Sequence, residues 1–230
     1  MKTLGLIGGT SWVSTVDYYK LINQMTNERL GGLNAAKLFL YSINFEEFRQ
    51  FGERNDWNGA GAFLSDIAKK LENAGAQAIV ICANTPHIAA EMVQQHIKIP
   101  IIHIAEETAK EIAKQKIKKV ALLGTRFTME QDFFKKRLLN YGIETLIPTA
   151  EEDKEFVHTT IFSELGKGIF ADETKKRYLE IIEKLRLKGA EGVILGCTEI
   201  PMLVKQSDCS ITAFDTTLIH AKAAVDFALA

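Results

Sequence analysis

The sequence predicts an α/β protein with two pseudo-symmetric lobes, each a parallel sheet flanked by helices, with the active site in the cleft between them. An internal repeat is the first observation: residues 75–87 read GAQAIVICANTPH, and residues 189–201 read GAEGVILGCTEIP. A second echo, LGLIGGTSW at 4–12 and VALLGTRFT at 120–128, has almost the same offset. The third observation is the alternation of short apolar runs with longer amphipathic stretches, which is typical of repeated strand–helix units.

Seven short runs rich in Ile, Val and Leu predict the strands, because strands covered on both faces by helices are almost continuously hydrophobic. In order they are Leu4–Ile7, Lys37–Ser42, Ala78–Ile81, Ile99–Ile102, Lys119–Leu123, Glu191–Leu195 and Ile211–Phe214. The amphipathic stretches predict helices near 14–30, 59–74, 86–96, 105–116, 129–141, 153–165, 172–188 and 216–229. Residues 1–100 together with 214–230 are expected to form the N-terminal lobe, and residues 101–213 the C-terminal lobe.

The composition argues against several classes of protein. The 230 residues are 47% hydrophobic and 25% charged, with a formal net charge of −1. The sequence therefore lacks the excess of basic residues that is typical of proteins that bind nucleic acid or an anionic membrane. No apolar stretch approaches the length of a membrane span, and the run Leu4–Ile7 is too short for a signal-peptide core. The three cysteines are too widely spaced for a disulfide framework, so we expect a reduced, cytoplasmic protein.

No cofactor or metal is expected from the motifs. The dinucleotide pattern GxGxxG, the phosphate-loop pattern GxxxxGK[ST], HExxH and CxxC are all absent. His87 and His103 follow predicted strands and could line the site. A histidine that is hydrogen-bonded in packing is the commoner alternative.

Small and polar residues follow four of the predicted strands. Parallel sheets hold their ligands at the carboxyl ends of the strands, and each of these four loops also precedes a predicted helix, whose N-terminus favours a small anion. The loops are Gly8–Trp12, Ala83–Thr85, Gly124–Arg126 and Gly196–Glu199. The sequence therefore predicts a site for a small molecule that carries a carboxylate or a phosphate.

Cys197 is the strongest chemical candidate. It ends an apolar strand and begins a predicted helix, so the helix dipole is expected to lower the pKa of its thiol. In the repeat its counterpart is Ala83, which carries no reactive group. Cys82 lies beside that counterpart, but consecutive strand residues point to opposite faces, so Cys82 is expected to face a neighbouring helix. Cys209 lacks these features, and burial as a small hydrophobic residue is the alternative for any free cysteine.

The chain resembles the aspartate/glutamate racemase family, within the Asp/Glu/hydantoin racemase superfamily. Five motifs in order carry the resemblance: GLIGGTSWVST with YY at 5–19, ANTPH at 83–87, LLGTRFTME at 122–130, GCTEI at 196–200 and FDTTLIHA at 214–221. The resemblance implies two α/β lobes, an acidic amino-acid substrate, a homodimer, and catalysis without pyridoxal phosphate, metal or nucleotide.

The resemblance also implies a mechanism with one cysteine in each lobe, on opposite faces of the substrate α-carbon. One thiolate removes the α-proton and the other thiol returns a proton from behind. The residues implied to surround the substrate are Thr10, Ser11, Asn84, Thr85, Thr125, Thr198 and Glu199. The distal carboxylate requires a cation, for which Lys167 matches a lysine of some members, and Arg49 or Arg54 is an alternative.

Position 83 departs from the family pattern, because alanine stands where the first catalytic cysteine is expected. Racemisation by two bases is therefore in question, and Cys197 alone is expected to give an impaired or one-sided reaction. Two alternatives remain open at the level of sequence. One is a decarboxylase of the arylmalonate type, which uses a single cysteine as proton donor, and the other is a non-catalytic carboxylate-binding protein.

Overall fold

The computed structural model describes the whole chain, Met1–Ala230, as two compact units. Unit 1 comprises Met1–Ile104 and His220–Ala230, and unit 2 comprises Ala105–Ile219. Two short stretches thus differ from the expected lobes. Residues 101–104 belong to unit 1 because the strand Ile101–Ile102 pairs with Ala78–Ile81, and residues 214–219 belong to unit 2 because Thr212–Asp215 pairs with Gly192–Gly196.

Eight strands and eleven α-helices follow one another along the chain. The strands are β1 (Leu4–Gly8), β2 (Leu38–Ser42), β3 (Ala78–Ile81), β4 (Ile101–Ile102), β5 (Lys119–Gly124), β6 (Glu144–Leu146), β7 (Gly192–Gly196) and β8 (Thr212–Asp215). The helices are α1 (Trp12–Leu30), α2 (Phe45–Glu53), α3 (Trp57–Asn73), α4 (Ala90–His96), α5 (Ile104–Lys114), α6 (Arg126–Glu130), α7 (Asp132–Leu139), α8 (Glu151–Ser163), α9 (Asp172–Leu187), α10 (Ile200–Leu203) and α11 (Thr216–Leu229). No helix is both long enough and apolar enough to cross a membrane.

Each unit contains one parallel sheet of four strands, and the two sheets share one topology. The order is β2-β1-β3-β4 in unit 1 and β6-β5-β7-β8 in unit 2. The longer internal repeat forms β3 and β7, and the shorter echo forms β1 and β5, so repeated sequences occupy the same two central places in their sheets. The predicted fold class of paired parallel α/β sheets is confirmed.

Alternating residues of the central strands in unit 1 pack into two apolar clusters, as expected when side chains point to opposite faces in turn. One cluster joins the sheet to α1 and α11 through Leu4, Leu6, Val80, Tyr18, Ile22, Ala221 and Val225. The other joins the opposite face to α2 and α3 through Ile7, Ile79, Ile81, Phe48, Leu64 and Ile67. This packing holds the ends of β1 and β3 rigidly beside each other.

Several elements differ from the sequence prediction; the helix predicted near 86–96, for example, is a 3₁₀ turn at Thr85–Ala89 followed by α4. The edge strand β6 and the helix α2 were not predicted, because β6 is only three residues long and α2 (FEEFRQFGE) mixes its apolar residues with charges. The predicted helix 129–141 is two helices, α6 and α7, since Gln131 between them has extended backbone angles (φ −78°, ψ 159°). These differences lie at sheet edges or outside the central strands.

Candidate active site

The strand order places a topological switch point between β1 and β3 in unit 1, and another between β5 and β7 in unit 2. Open parallel sheets bind ligands at the carboxyl ends of the strands on either side of such a point. Four loops therefore define the candidate site residues: those after β1 and β3, and those after β5 and β7. They are the loops that the sequence singles out.

The loop after β1 depends on a glycine. Gly9 has a φ of +87°, and a Cβ at this position would overlap the backbone of Ile43. The Gly9 N–H donates to Thr15 Oγ1 at 2.9 Å, and the Thr15 hydroxyl donates to the Ser11 carbonyl at 2.8 Å. This tight turn holds Thr10 and Ser11 in buried positions, yet the hydroxyl oxygen of each has no hydrogen-bond partner within the protein.

The loop after β3 carries the alanine that replaces the expected cysteine. The Ala83 N–H donates to the Ile81 carbonyl at 2.8 Å, so the strand ends in a three-residue turn. Ala83 is 8% exposed, Asn84 is buried and Thr85 is half-buried. Cys82 is 1% exposed and packs in the cluster with Leu4 and Leu6, where burial raises the pKa of its thiol.

Histidines of unit 1 support this loop rather than offering a base. His87 Nδ1 lies 2.8 Å from the Ala83 carbonyl oxygen, and His87 Nε2 lies 3.3 Å from the Ile104 N–H nitrogen, so the neutral ring donates to the first and accepts from the second. Burial, followed by His103 and His220, lowers the pKa of His87 well below its usual value. The His103 ring lies 4.6 Å from the His87 ring.

His220 was not singled out by the sequence analysis, although it belongs to the same group. Its Nε2 lies 2.7 Å from the Ile102 carbonyl oxygen, and its Nδ1 lies 2.8 Å from the Tyr18 hydroxyl oxygen. Burial lowers the pKa of His220 to about 4. The interpretation of a hydrogen-bonded packing histidine therefore fits both His87 and His220.

The loop after β7 presents Cys197 together with two polar neighbours. Cys197 is 9% exposed, and its thiol donates to Glu199 Oε2 with an Sγ to Oε2 distance of 2.9 Å. The Thr198 hydroxyl donates to the same oxygen at 3.1 Å. Thr198 and Glu199 are each 3% exposed, so a carboxylate and a thiol share a site that is almost closed to water.

One expectation about this loop was wrong. The pKa of Cys197 is raised well above its usual value, not lowered, first because of burial and then because of the charge and hydrogen bond of Glu199. The helix that follows, α10, has only four residues, so its dipole is too weak to compensate.

Thr125, in the loop after β5, has a structural role. Its Oγ1 accepts a hydrogen bond from the Thr128 N–H at 3.2 Å and so caps the start of α6. A Cβ at Gly124 would lie 2.6 Å from the carbonyl oxygen of Gly196, so β5 and β7 approach closely just before this loop. Thr125 is buried at that point of the fold.

The candidate cations differ in their surroundings. Arg49 on α2 forms ion pairs with Glu46 and Glu53 on the same helix. Arg54 is exposed with one long contact to Gln50 Oε1 at 3.4 Å, and Lys167 is exposed in a short 3₁₀ turn at Leu165–Lys167. Arg49 and Arg54 belong to unit 1 and Lys167 to unit 2. The charge of Arg49 is already balanced by its neighbours on α2.

Several buried side-chain oxygen atoms near the ends of strands have no hydrogen-bond partner within the protein. A buried polar group that lacks a hydrogen bond costs about 1–3 kcal/mol, so such atoms indicate that a ligand or water completes them. They include Thr10 Oγ1, Ser11 Oγ, Glu199 Oε1 and Thr217 Oγ1. The sequence analysis did not single out Thr217, which is the second residue after the end of β8 and lies on α11; its hydroxyl close to a strand end was the available signal.

Comparison with known proteins identifies the class. The family model described as Asp/Glu/Hydantoin racemase matches residues 7–224, and the chain belongs to this family. Among its relatives, the broad specificity amino-acid racemase RacX of Bacillus subtilis (strain 168) is 27% identical over 73% of this chain and 71% of the relative. General amino-acid racemase activity is supported by these relatives.

Solved structures give the same result. A crystal structure from Yersinia pestis, whose protein carries the provisional description Asp/Glu racemase, is 47% identical with a TM-score of 0.92 and complete coverage of both chains. An aspartate racemase homologue from Pyrococcus horikoshii OT3 is 41% identical with a TM-score of 0.86, again over both whole chains.

Proposed function

We propose that this protein is a cofactor-independent racemase of the acidic amino acids aspartate and glutamate, and that Cys197 transfers the α-proton. The hydrogen-bonded, buried pair of Cys197 and Glu199 after β7 carries the proposal. A thiol at the carboxyl end of a central strand is the one group in these loops with suitable chemistry for a carbon acid. The buried oxygens of Thr10, Ser11 and Thr217 support it, since they suit the polar groups of an amino acid.

The chemistry places two demands on such a site. The α-proton of an amino acid is very weakly acidic, so the sulfur must be held close to the carbon and away from water. The negative charge that develops on the substrate must also meet hydrogen-bond donors. The buried hydroxyls of Thr10 and Ser11 supply donors of that kind, and the tight turn at Gly9 holds them in place.

Ala83 gives the proposed reaction an asymmetry. A single thiol reaches one face of the α-carbon, so it removes the proton from one enantiomer and returns a solvent-derived proton to the same face. Exchange with retention of configuration is therefore faster than inversion. Since alanine offers no acid, inversion depends on a proton from water, and a missing acid or base group costs about 10²–10⁴-fold.

Proton exchange in D₂O tests this function directly. We expect the α-proton NMR signal of one enantiomer of aspartate or glutamate to disappear, while chiral chromatography detects much slower inversion. Exchange should need no added cofactor or metal and should survive dialysis against a chelator. If a folded protein exchanges the α-proton of neither enantiomer of aspartate and neither enantiomer of glutamate, the proposal is contradicted.

A decarboxylase of the arylmalonate type is the second candidate, and one observation favours it. Burial and Glu199 raise the pKa of Cys197, so the resting group is a thiol, as a proton donor to an enolate requires. Release of carbon dioxide from an arylmalonate, without exchange of amino-acid α-protons, would support this candidate. Binding of aspartate without either reaction would indicate a carboxylate-binding protein.

We also propose that the protein is a cytoplasmic homodimer. The three cysteines are free, which suits a reducing compartment. Eight of the fourteen exposed large hydrophobic residues fall between residues 12 and 41: Trp12, Val16, Tyr19, Leu30, Leu33, Phe39, Leu40 and Tyr41. This apolar edge combines one side of α1 with β2, which is an edge strand of its sheet. Such surfaces mark sites of association, and a second copy is the occupant that we propose.

Charge placed on the apolar edge is expected to separate the dimer. Val16 and Tyr19 are 56% and 54% exposed on α1. The double variant Val16→Glu/Tyr19→Glu therefore places no charge in the core of the subunit, but it places two charges on the surface where we propose that the second copy binds. Light scattering should give about twice 25.7 kDa for the native protein and 25.7 kDa for the variant. Leu139→Glu with Leu187→Glu, at 70% and 72% exposure in unit 2, is the matched control and should remain dimeric. A monomeric native protein would contradict the proposed dimer.

A further inference from the structure

Two buried oxygen atoms of unit 2 lack a hydrogen-bond partner, and they follow two strands that pair with each other. Thr217 Oγ1 lies on α11 just after β8, and Glu199 Oε1 lies in the loop after β7. The two residues are 4% and 3% exposed, so solvent scarcely reaches them. Buried oxygens in this state are binding positions for a group that the protein itself does not supply.

The sheet of unit 2 brings these two oxygens to the same place. In the parallel pair of β7 and β8, Leu195 is opposite Asp215, so the loops that follow the two strands begin side by side. The Thr216 hydroxyl donates to the Leu195 carbonyl at 2.9 Å and ties the start of α11 to the end of β7. The hydroxyl of Thr217, the next residue, therefore lies beside the loop after β7.

The charge of the two loops selects the kind of group that binds there. Residues 197–199 and 215–217 include two acidic residues, Glu199 and Asp215, and no basic residue. Asp215 Oδ1 accepts from the Leu218 N–H at 3.0 Å and caps α11, whereas Glu199 Oε1 is still open to a donor. A carboxylate oxygen only accepts and a threonine hydroxyl can also accept, so a cation with several N–H groups satisfies both. The carboxylates would repel an anion.

We propose that Thr217 Oγ1 and Glu199 Oε1 form the subsite for the α-ammonium group of an amino acid, an assignment that rests on the proposed racemase function. The ammonium group donates one hydrogen bond to each oxygen, and its charge balances the carboxylate in a site that excludes water. The other oxygen of this carboxylate, Oε2, accepts from the Cys197 thiol at 2.9 Å. Because the ammonium nitrogen is bonded to the α-carbon, binding at Oε1 brings that carbon close to the sulfur.

This subsite makes the protein selective among carboxylic acids of similar size. Malate and 2-hydroxyglutarate carry a neutral hydroxyl in place of the ammonium group of aspartate and glutamate. A hydroxyl has one proton to donate, so it satisfies one of the two oxygens and leaves the charge of Glu199 unbalanced. An arylmalonate brings no cation at all. Occupation of the subsite therefore also favours the racemase over the decarboxylase.

Thr217→Val removes the unpartnered hydroxyl and keeps the shape of the side chain. We expect the enantiomer of aspartate or glutamate that binds most tightly to lose about 10–100-fold in affinity, the value of a hydrogen bond to a charged group, as measured by titration calorimetry. The corresponding hydroxy acid should lose less, so the preference for the amino acid narrows. Since the hydroxyl has no partner within the protein, the unfolding temperature without ligand should not fall. Thr217→Ser, which keeps a hydroxyl, should bind nearly as the native protein does.

Thr26→Val is the matched control, because Thr26 near the end of α1 is also fully buried with an unpartnered hydroxyl, and this variant should keep the native affinity. Equal native affinity for an amino acid and its hydroxy acid, or native affinity in Thr217→Val, would overturn the subsite. A lower unfolding temperature of Thr217→Val would overturn it too, since the hydroxyl would then have a partner in the free protein. Selective binding without α-proton exchange would support the subsite and contradict the racemase, whereas exchange with unchanged affinity in Thr217→Val would contradict the subsite alone.

Discussion

Cys197→Ser is expected to reduce α-proton exchange by about 10²–10⁴-fold, the contribution of a general base. Serine has nearly the same size and can keep the hydrogen bond to Glu199, but its hydroxyl is far less acidic than a thiol. The change therefore removes the basic sulfur while it leaves the loop after β7 largely undisturbed. The rate of loss of the α-proton NMR signal in D₂O measures the effect.

A matched serine variant controls for the loss of a cysteine in the same unit. Cys209 is half-buried and follows the 3₁₀ turn Gln206–Asp208, away from the ends of the central strands. Cys209→Ser should keep the native exchange rate and the native unfolding temperature. A Cys197→Ser protein that exchanges at the native rate would show that another group removes the proton.

Ala83→Cys is expected to convert a one-sided reaction into racemisation in both directions. In the two-base mechanism that the family resemblance implies, a thiol at this position acts on the other enantiomer. The Ala83 backbone is already fixed by its hydrogen bonds to Ile81 and His87, so the new sulfur would start from a well-defined position. Inversion, followed by chiral chromatography from each pure enantiomer, should accelerate by about 10²–10⁴-fold.

Ala83→Ser is the control for this gain, because it adds an atom of similar size without a readily ionised group. Serine should leave inversion close to the native rate. Equal acceleration by serine and cysteine would mean that added bulk, and not a second thiol, changes the reaction. No acceleration by cysteine, in a protein that still exchanges the first enantiomer, would remove position 83 from the mechanism.

The repeated sequences explain why so much of the fold was predictable. A buried parallel strand must be apolar along its length, so both copies of the repeat predict a strand, β3 in one and β7 in the other. Their neighbours β1 and β5 precede them in the chain at almost the same spacing, and the two pairs occupy the same central places in their sheets. The edge strand β6 has no such constraint. Its three residues bury too little surface to leave a pattern.

The electrostatics of the site were not predictable in the same way. The sequence places Glu199 two residues after Cys197, but only the folded turn brings Oε2 to 2.9 Å from the sulfur and reverses the expected change in pKa. Thr217 is another case, because its importance depends on an oxygen that is buried without a partner. Side-chain direction and desolvation are properties of the three-dimensional arrangement.

Unit 1 is assembled from both ends of the chain, and this has a consequence for biosynthesis. The Lys2 N–H donates to the Ala228 carbonyl, and Ala221, Ala224 and Val225 complete the cluster on one face of β1 and β3. During translation, most of unit 2 is synthesised before the helix α11, which begins at Thr216. The apolar face of β1 and β3 therefore stays uncovered until residues 220–230 have been synthesised, after the whole of unit 2.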